Sequence, residues 1–100
     1  MKIAVIQVDT VWENRDANFA QIAPLVSTAV ESGATFVLLT EMFSTGFVVD
    51  RSDIGEPEGG PSSQFLSKMA TQHNVWIGGS CPEVTNDDPR PFNSFVLVSP

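Results

Sequence analysis

Two short apolar runs constrain this chain more than anything else in it. Ile3-Ala4-Val5-Ile6-Gln7-Val8 and Thr35-Phe36-Val37-Leu38-Leu39 are nearly continuous and rich in β-branched residues, the pattern of strands covered on both faces. Between them, Phe19, Ile22, Ala23, Val26, Ala29 and Val30 recur at spacings of three and four, which puts them on one face of a helix. Asn14 or Asp16 can cap its start, and Gly33 can end it. Pro24 falls inside the pattern, where the loss of one backbone hydrogen bond costs about 3 kcal/mol in a straight helix, so either a kink or a late helix start is expected. The short Gly33-Ala34 link then suits a strand-helix-strand unit closing as a right-handed parallel crossover.

Beyond it, Thr40 to Gly60 has no period, holds Gly46, Gly55, Gly59 and Gly60, and sets five acidic residues against Arg51. Such a stretch is a long functional loop or a disordered one. Pro61 is pre-set for a first helical turn, Ser62 or Ser63 can cap, and Phe65, Leu66, Met69, Ala70 and His73 repeat at helical spacing. Val75-Trp76-Ile77-Gly78-Gly79 reads as a third strand and Phe92 to Val98 as a fourth. The turn residues Asn86-Asp87-Asp88-Pro89 between them imply an antiparallel hairpin or meander.

At 100 residues the chain holds at most one domain. It ends at Ser99-Pro100, straight after an apolar strand whose free edge needs a neighbour, so residues 1–100 are expected to be a partial domain truncated at its C-terminal end. An apolar content of 42% against 17% charged suits a folded chain. Twelve acidic residues against five basic give −7, with no Lys or Arg cluster to track phosphates or anionic lipid, which argues against nucleic-acid and membrane-surface roles. Uninterrupted apolar runs such as Ile3 to Ile6 and Phe95 to Val98 are far short of the roughly 20 residues that span a bilayer. Lys2 with Ile3 to Ile6 has the look of a secretion signal, but Gln7 and Asp9 end it too early. The one cysteine, Cys81, cannot form an internal disulfide. These features fit a cytoplasmic globular protein.

The segment most informative about function is Leu38-Leu39-Thr40-Glu41-Met42-Phe43-Ser44-Thr45-Gly46-Phe47. A carboxylate directly after a buried strand stands at the carboxyl end of the sheet, where open α/β folds hold ligands. Burial beside Met42, Phe43 and Phe47 would raise the Glu41 pKa toward the range a general base needs. The plainer alternative is a glutamate that points to solvent or caps a loop amide. Phe43 and Phe47 either line a substrate pocket or pack under the loop.

Met1-Lys2-Ile3-Ala4-Val5-Ile6-Gln7, Gly33-Ala34-Thr35-Phe36-Val37-Leu38-Leu39-Thr40-Glu41 and Phe92-Asn93-Ser94-Phe95-Val96-Leu97-Val98-Ser99-Pro100 together resemble the nitrilase or carbon-nitrogen hydrolase superfamily over the length of the chain. Glu41 to Phe47 is most similar to the small-amide branch that includes omega-amidase-like enzymes. The resemblance implies an α/β fold, the amino-terminal part of a four-layer α-β-β-α sandwich. It also implies a Glu-Lys-Cys triad acting on a small amide or nitrile without cofactor or metal, and a homo-oligomer at full length. Glu41 matches the family's glutamate, which deprotonates the cysteine thiol and later activates water; the lysine steadies the oxyanion. Thr40 stands where many members have proline. The family's lysine and cysteine fall beyond Pro100.

Other residues have plainer readings. Cys81, at a strand exit, suits a small apolar filler and is not the family's nucleophile. Lys68 falls in the second helical pattern as a solvated residue. Gly78-Gly79-Ser80 is similar to the loop of a Ser-Ser-Lys amidase class but has no second serine and lysine at suitable spacing. Gly59-Gly60-Pro61-Ser62-Ser63 reads as a helix cap, since no Lys follows to complete a phosphate loop. His73, at a helix end, has no companion at metal-ligand spacing. Trp12 and Trp76 suit core or rim packing. The rival to a hydrolase is a non-catalytic α/β interaction module or degenerate family member in which Glu41 is structural.

Overall fold

The computed structural model describes residues 1–48 and 52–100. Arg51 of the acidic loop lies outside the described residues. The elements follow in the order β1 (Ile3–Ile6), α1 (Arg15–Glu31), β2 (Phe36–Leu39), a 3-10 turn (Ser52–Ile54), α2 (Pro61–His73), β3 (Trp76–Glu83) and β4 (Phe92–Val98). The four strands form one sheet in chain order. β1, β2 and β3 are parallel, as two helical crossovers require, and β4 returns antiparallel from β3, with Ile77 opposite Val98 and Glu83 opposite Phe92.

Both helices cover the same face of this sheet. Ile22 and Val26 of α1 and Phe65, Leu66, Met69 and Ala70 of α2 enclose Ile6, Val37, Leu39, Ile77 and Cys81 in one core. The helices meet through Phe19 and Phe65, whose rings stack with centroids 4.4 Å apart. α1 starts before Pro24 and runs through it, so the late start expected from that proline does not occur. Asn14 caps it, its Oδ1 accepting from the Ala17 amide at 3.0 Å. The second helix departs from expectation at its start. Gly60 is the cap residue and has no side chain to offer; Glu56 takes that role, its Oε1 accepting from the Ser62 amide at 2.8 Å.

The apolar runs predict strands covered on both faces, and in this chain they are covered on one. Ile3 and Val5 of β1, Trp76 of β3 and Phe95 and Leu97 of β4 are exposed on the side away from the helices. The chain therefore builds one helical layer and one sheet. β3 reaches Glu83, past the expected Gly79, because β4 pairs with it residue by residue as far as Glu83 opposite Phe92, and its two glycines make room for their neighbours. A Cβ on Gly79 would meet Phe43 Cδ1 at 2.7 Å on the helix side, and one on Gly78 would meet Phe95 Cζ at 2.7 Å on the open side. Trp12 and Trp76 are both exposed rather than in the core, and Trp12 lies over Gly46, where an added Cβ would come within 2.6 Å of its ring. Among the described residues no helix is long and apolar enough to cross a membrane.

Candidate active site

β2 delivers Glu41 to the carboxyl end of the parallel strands, two residues past Leu39. The chain then reverses tightly. Met42 takes a left-handed conformation at φ +52°, uncommon for a residue with a side chain, and the turn closes with the Gly46 amide donating to the Met42 carbonyl at 2.9 Å. Ser80 of β3 holds this turn from both its groups: its Oγ accepts from the Met42 amide at 2.8 Å, and its carbonyl accepts from the Phe43 amide at 3.3 Å.

On the open face, Leu39, Glu41, Ser80, Asn93 and Phe95 line a hollow of about 310 Å³. Asn93, near the start of β4, donates from Nδ2 to Glu41 Oε2 at 2.7 Å. A carboxylate only accepts, so the amide must present its nitrogen. Glu41 is exposed, and the expected burial of its carboxylate among Met42, Phe43 and Phe47 does not occur. Its two following neighbours are instead buried away from it.

Phe43 is among them. It is 0% exposed, packed with Phe19 and Phe65 at centroid separations of 6.3 and 6.1 Å, within the core beneath the helices. A ring with no free surface does not line a substrate pocket, and packing under the loop is the role the structure gives it. Phe47 is 52% exposed and lies outside the residues that line the Glu41 hollow.

A second carboxylate, Glu56, carries no distinguishing signal in the sequence, where an acidic residue in an aperiodic acidic stretch looks solvated. It is 3% exposed. Its Oε2 accepts from Arg15 Nε at 2.7 Å and from Ser62 Oγ at 2.5 Å, and Arg15 also donates through Nη2 to the Ile54 carbonyl. Ser62 Oγ lies 2.6 Å from Ser44 Oγ, while Asn18 Nδ2 donates to the Ser44 carbonyl at 2.8 Å. The segment after Glu41 is thereby tied to both helices. Glu56 also bridges to Glu83 in parallel fashion, with its amide on the Pro82 carbonyl and its carbonyl on the Val84 amide, each at 2.8 Å. The pairing begins on β3 where β2 has ended.

Cys81 is fully buried on the helix side, and its thiol is pushed up to about 12, chiefly by burial and then by the nearby Glu56 and Glu83 carboxylates, against a smaller opposing effect of Arg15. Such a thiol is a poor nucleophile at neutral pH. Lys68 is exposed on α2. Gly78, Gly79 and Ser80 lie inside β3 rather than in a loop.

Comparison with known proteins agrees with this arrangement. At 30% identity over 106 aligned residues, the chain is similar to a nitrilase of Pyrococcus abyssi (strain GE5 / Orsay), an alignment covering all of this chain and 39% of that protein. Among solved structures it resembles a CN-hydrolase superfamily protein of Xanthomonas campestris with an arsenic adduct in its active site, with a TM-score of 0.86 at 24% identity, over 98% of this chain and 36% of that one. It also resembles Nit3 of Saccharomyces cerevisiae, a member of branch 10 of the nitrilase superfamily, with a TM-score of 0.80 at 23% identity, over 97% and 39% respectively. At those identities the two structures speak for the fold alone. The chain thus spans well under half the length of each. The carbon-nitrogen hydrolase family model matches residues 2–100, and with the sheet, the crossovers and the Glu41 turn all inside that span, the chain belongs to the carbon-nitrogen hydrolase family.

Proposed function

We propose that this chain is the glutamate-bearing part of an enzyme that hydrolyses a small amide or nitrile through a cysteine acyl-enzyme, with Glu41 as the general base. The observation that carries the reading is the position of Glu41: an exposed carboxylate at the exit of a parallel strand, on a turn pinned by Ser80, beside an open hollow. Family membership supports carbon-nitrogen bond hydrolysis as the reaction class.

In this reading the lysine and cysteine come from sequence beyond residue 100. The cysteine sulfur gives its proton to Glu41 and attacks the amide carbon, ammonia leaves with that proton, and a thioester remains. Glu41 then takes a proton from water, whose oxygen attacks the thioester, releasing the carboxylic acid and restoring the thiol. The lysine ammonium faces the oxyanion in both steps. The 100 residues alone hold a base without a nucleophile and are inactive by this account. Phe47, an exposed aromatic after the turn, is the remaining aromatic candidate for contact with substrate. The whole protein is, in the same proposal, a cytoplasmic homo-oligomer needing no cofactor.

The test is to incubate the full-length protein with a panel of short primary amides and nitriles, quench in acid and weigh the protein. An acyl adduct on a cysteine other than Cys81, with ammonia released, supports the reading. No adduct and no ammonia across the panel would instead make this a non-catalytic α/β module.

A further inference from the structure

We infer that Asn93 is the positioning residue for Glu41, holding one carboxylate oxygen so that the other is presented for proton transfer. The inference rests on Glu41 being the base. It is carried by a side-chain pair 52 residues apart in sequence: Asn93 Nδ2 donates to Glu41 Oε2 at 2.7 Å across the hollow formed where β2, β3 and β4 meet. β4 places it there by register. Asn93, Phe95 and Leu97 alternate onto the open face, and Asn93 stands opposite Pro82, two residues along β3 from the Ser80 that pins the Glu41 turn.

The chemistry of an amide suits a base that must change protonation state twice in a turnover. While Glu41 is a carboxylate, the amide N–H donates to it. Once Glu41 carries a proton, the same side chain can turn its carbonyl to accept from the O–H, so the contact survives proton transfer. A lysine at this position would stabilise the ionised form and weaken the base, and an aspartate would repel it. Asparagine brings no charge of either sign, and its N–H favours the ionised form far less than an ammonium would. Besides Glu41, the residues lining the hollow are Leu39, Ser80, Asn93 and Phe95, none with a charge at neutral pH, so among the described residues Glu41 is the titrating group of this wall.

The test compares Asn93→Asp, Asn93→Ala and Asn93→Gln in the full-length protein. Two measurements are made: the Glu41 carboxyl titration followed by carbon NMR, and the pH dependence of kcat/KM. Placing a second carboxylate at 2.7 Å from Glu41 Oε2 in Asn93→Asp should move the Glu41 titration, and with it the acid limb of the rate profile, upward by about one pH unit or more. Asn93→Ala should lower kcat by roughly ten- to a hundredfold with KM little changed, through lost orientation. Asn93→Gln, which keeps the amide on a longer arm, should recover part of that loss. The melting temperature of each variant is measured alongside, so that a loss of folding is separated from a loss of positioning. A Glu41 titration and rate profile in Asn93→Asp that overlay the wild type would overturn the inference while leaving the base assignment standing. A titration that moves while Glu41→Gln keeps full activity would show instead that the contact is real and Glu41 is not the base, which also overturns a positioning role in catalysis.

Discussion

Ser80 Oγ accepts the backbone amide of Met42 at 2.8 Å, and Met42 is a left-handed residue standing immediately after the candidate base. A strand in the middle of the sheet therefore stabilises a backbone conformation that a methionine would not adopt unaided, and that conformation sets where Glu41 leaves β2. Replacing Ser80 with Ala leaves a buried amide without its acceptor, a cost of about 1–3 kcal/mol, seen as a lower melting temperature. Because the turn that carries Glu41 loosens, any turnover by the full-length protein should fall by more than the change in folded fraction accounts for. Unchanged melting in Ser80→Ala would show that the turn does not depend on this bond.

The two consecutive glycines of β3 make a paired prediction. In Gly79→Ala the new methyl meets Phe43, whose ring is fully enclosed, and overpacking of this kind costs about 1–3 kcal/mol. In Gly78→Ala the methyl meets Phe95, an exposed ring with room to swing aside. Chemical denaturation of both variants should therefore find Gly79→Ala clearly the less stable. The reverse order would contradict the placement of Phe43 in the core.

Much of this architecture is legible in the sequence. β1, β2 and β4 and both helices follow from apolar runs and from spacings of three and four, and these fix the parallel crossovers. β3 beyond Gly79 is not legible, because Gly78-Gly79-Ser80-Cys81-Pro82 lacks the β-branched residues of a strand and owes its extended form to Phe43, Phe95 and the β4 register. Glu41 stands out as a carboxylate after a buried strand. Its exposure does not, since the apolar residues that follow it suggest burial until the left-handed Met42 turns them away. Asn93 and Glu56 act across 52 and 41 residues of sequence, on Glu41 and Arg15 respectively, and no local pattern announces such pairs.

Glu56 joins the loop to the starts of both helices. In Glu56→Gln the Ser62 amide can keep an acceptor, but Arg15 loses its ion pair, and hydrogen bonds to charged groups of this kind contribute about 1.5–3 kcal/mol each. The variant should be destabilised by that order, and amide hydrogen exchange should speed up first from Ser52 to Ser62. Exchange that accelerates uniformly along the chain would show that Glu56 acts globally instead.

Cys81 makes stability depend on alkaline pH. Its thiol ionises at about 12 when folded against 9.0 as a free group, so the unfolded chain loses this proton first as the pH rises. The contribution is fully present below pH 9 and is lost progressively between pH 9 and 12. Denaturant midpoints measured across that window should fall more steeply for the wild type than for Cys81→Ala. Parallel curves would contradict the burial of the thiol. At pH 8, thiol reagents should modify Cys81 only after unfolding.

The central claim is that Glu41 is the base of a carbon-nitrogen hydrolase, and ammonia release from short primary amides by the full-length wild type and Glu41→Gln tests it most directly. The substitution keeps the shape of the side chain and its contact with Asn93 while removing the carboxylate. Turnover should fall by about 10²-fold or more with the melting temperature unchanged. Glu41→Gln turning over at close to the wild-type rate would contradict the account.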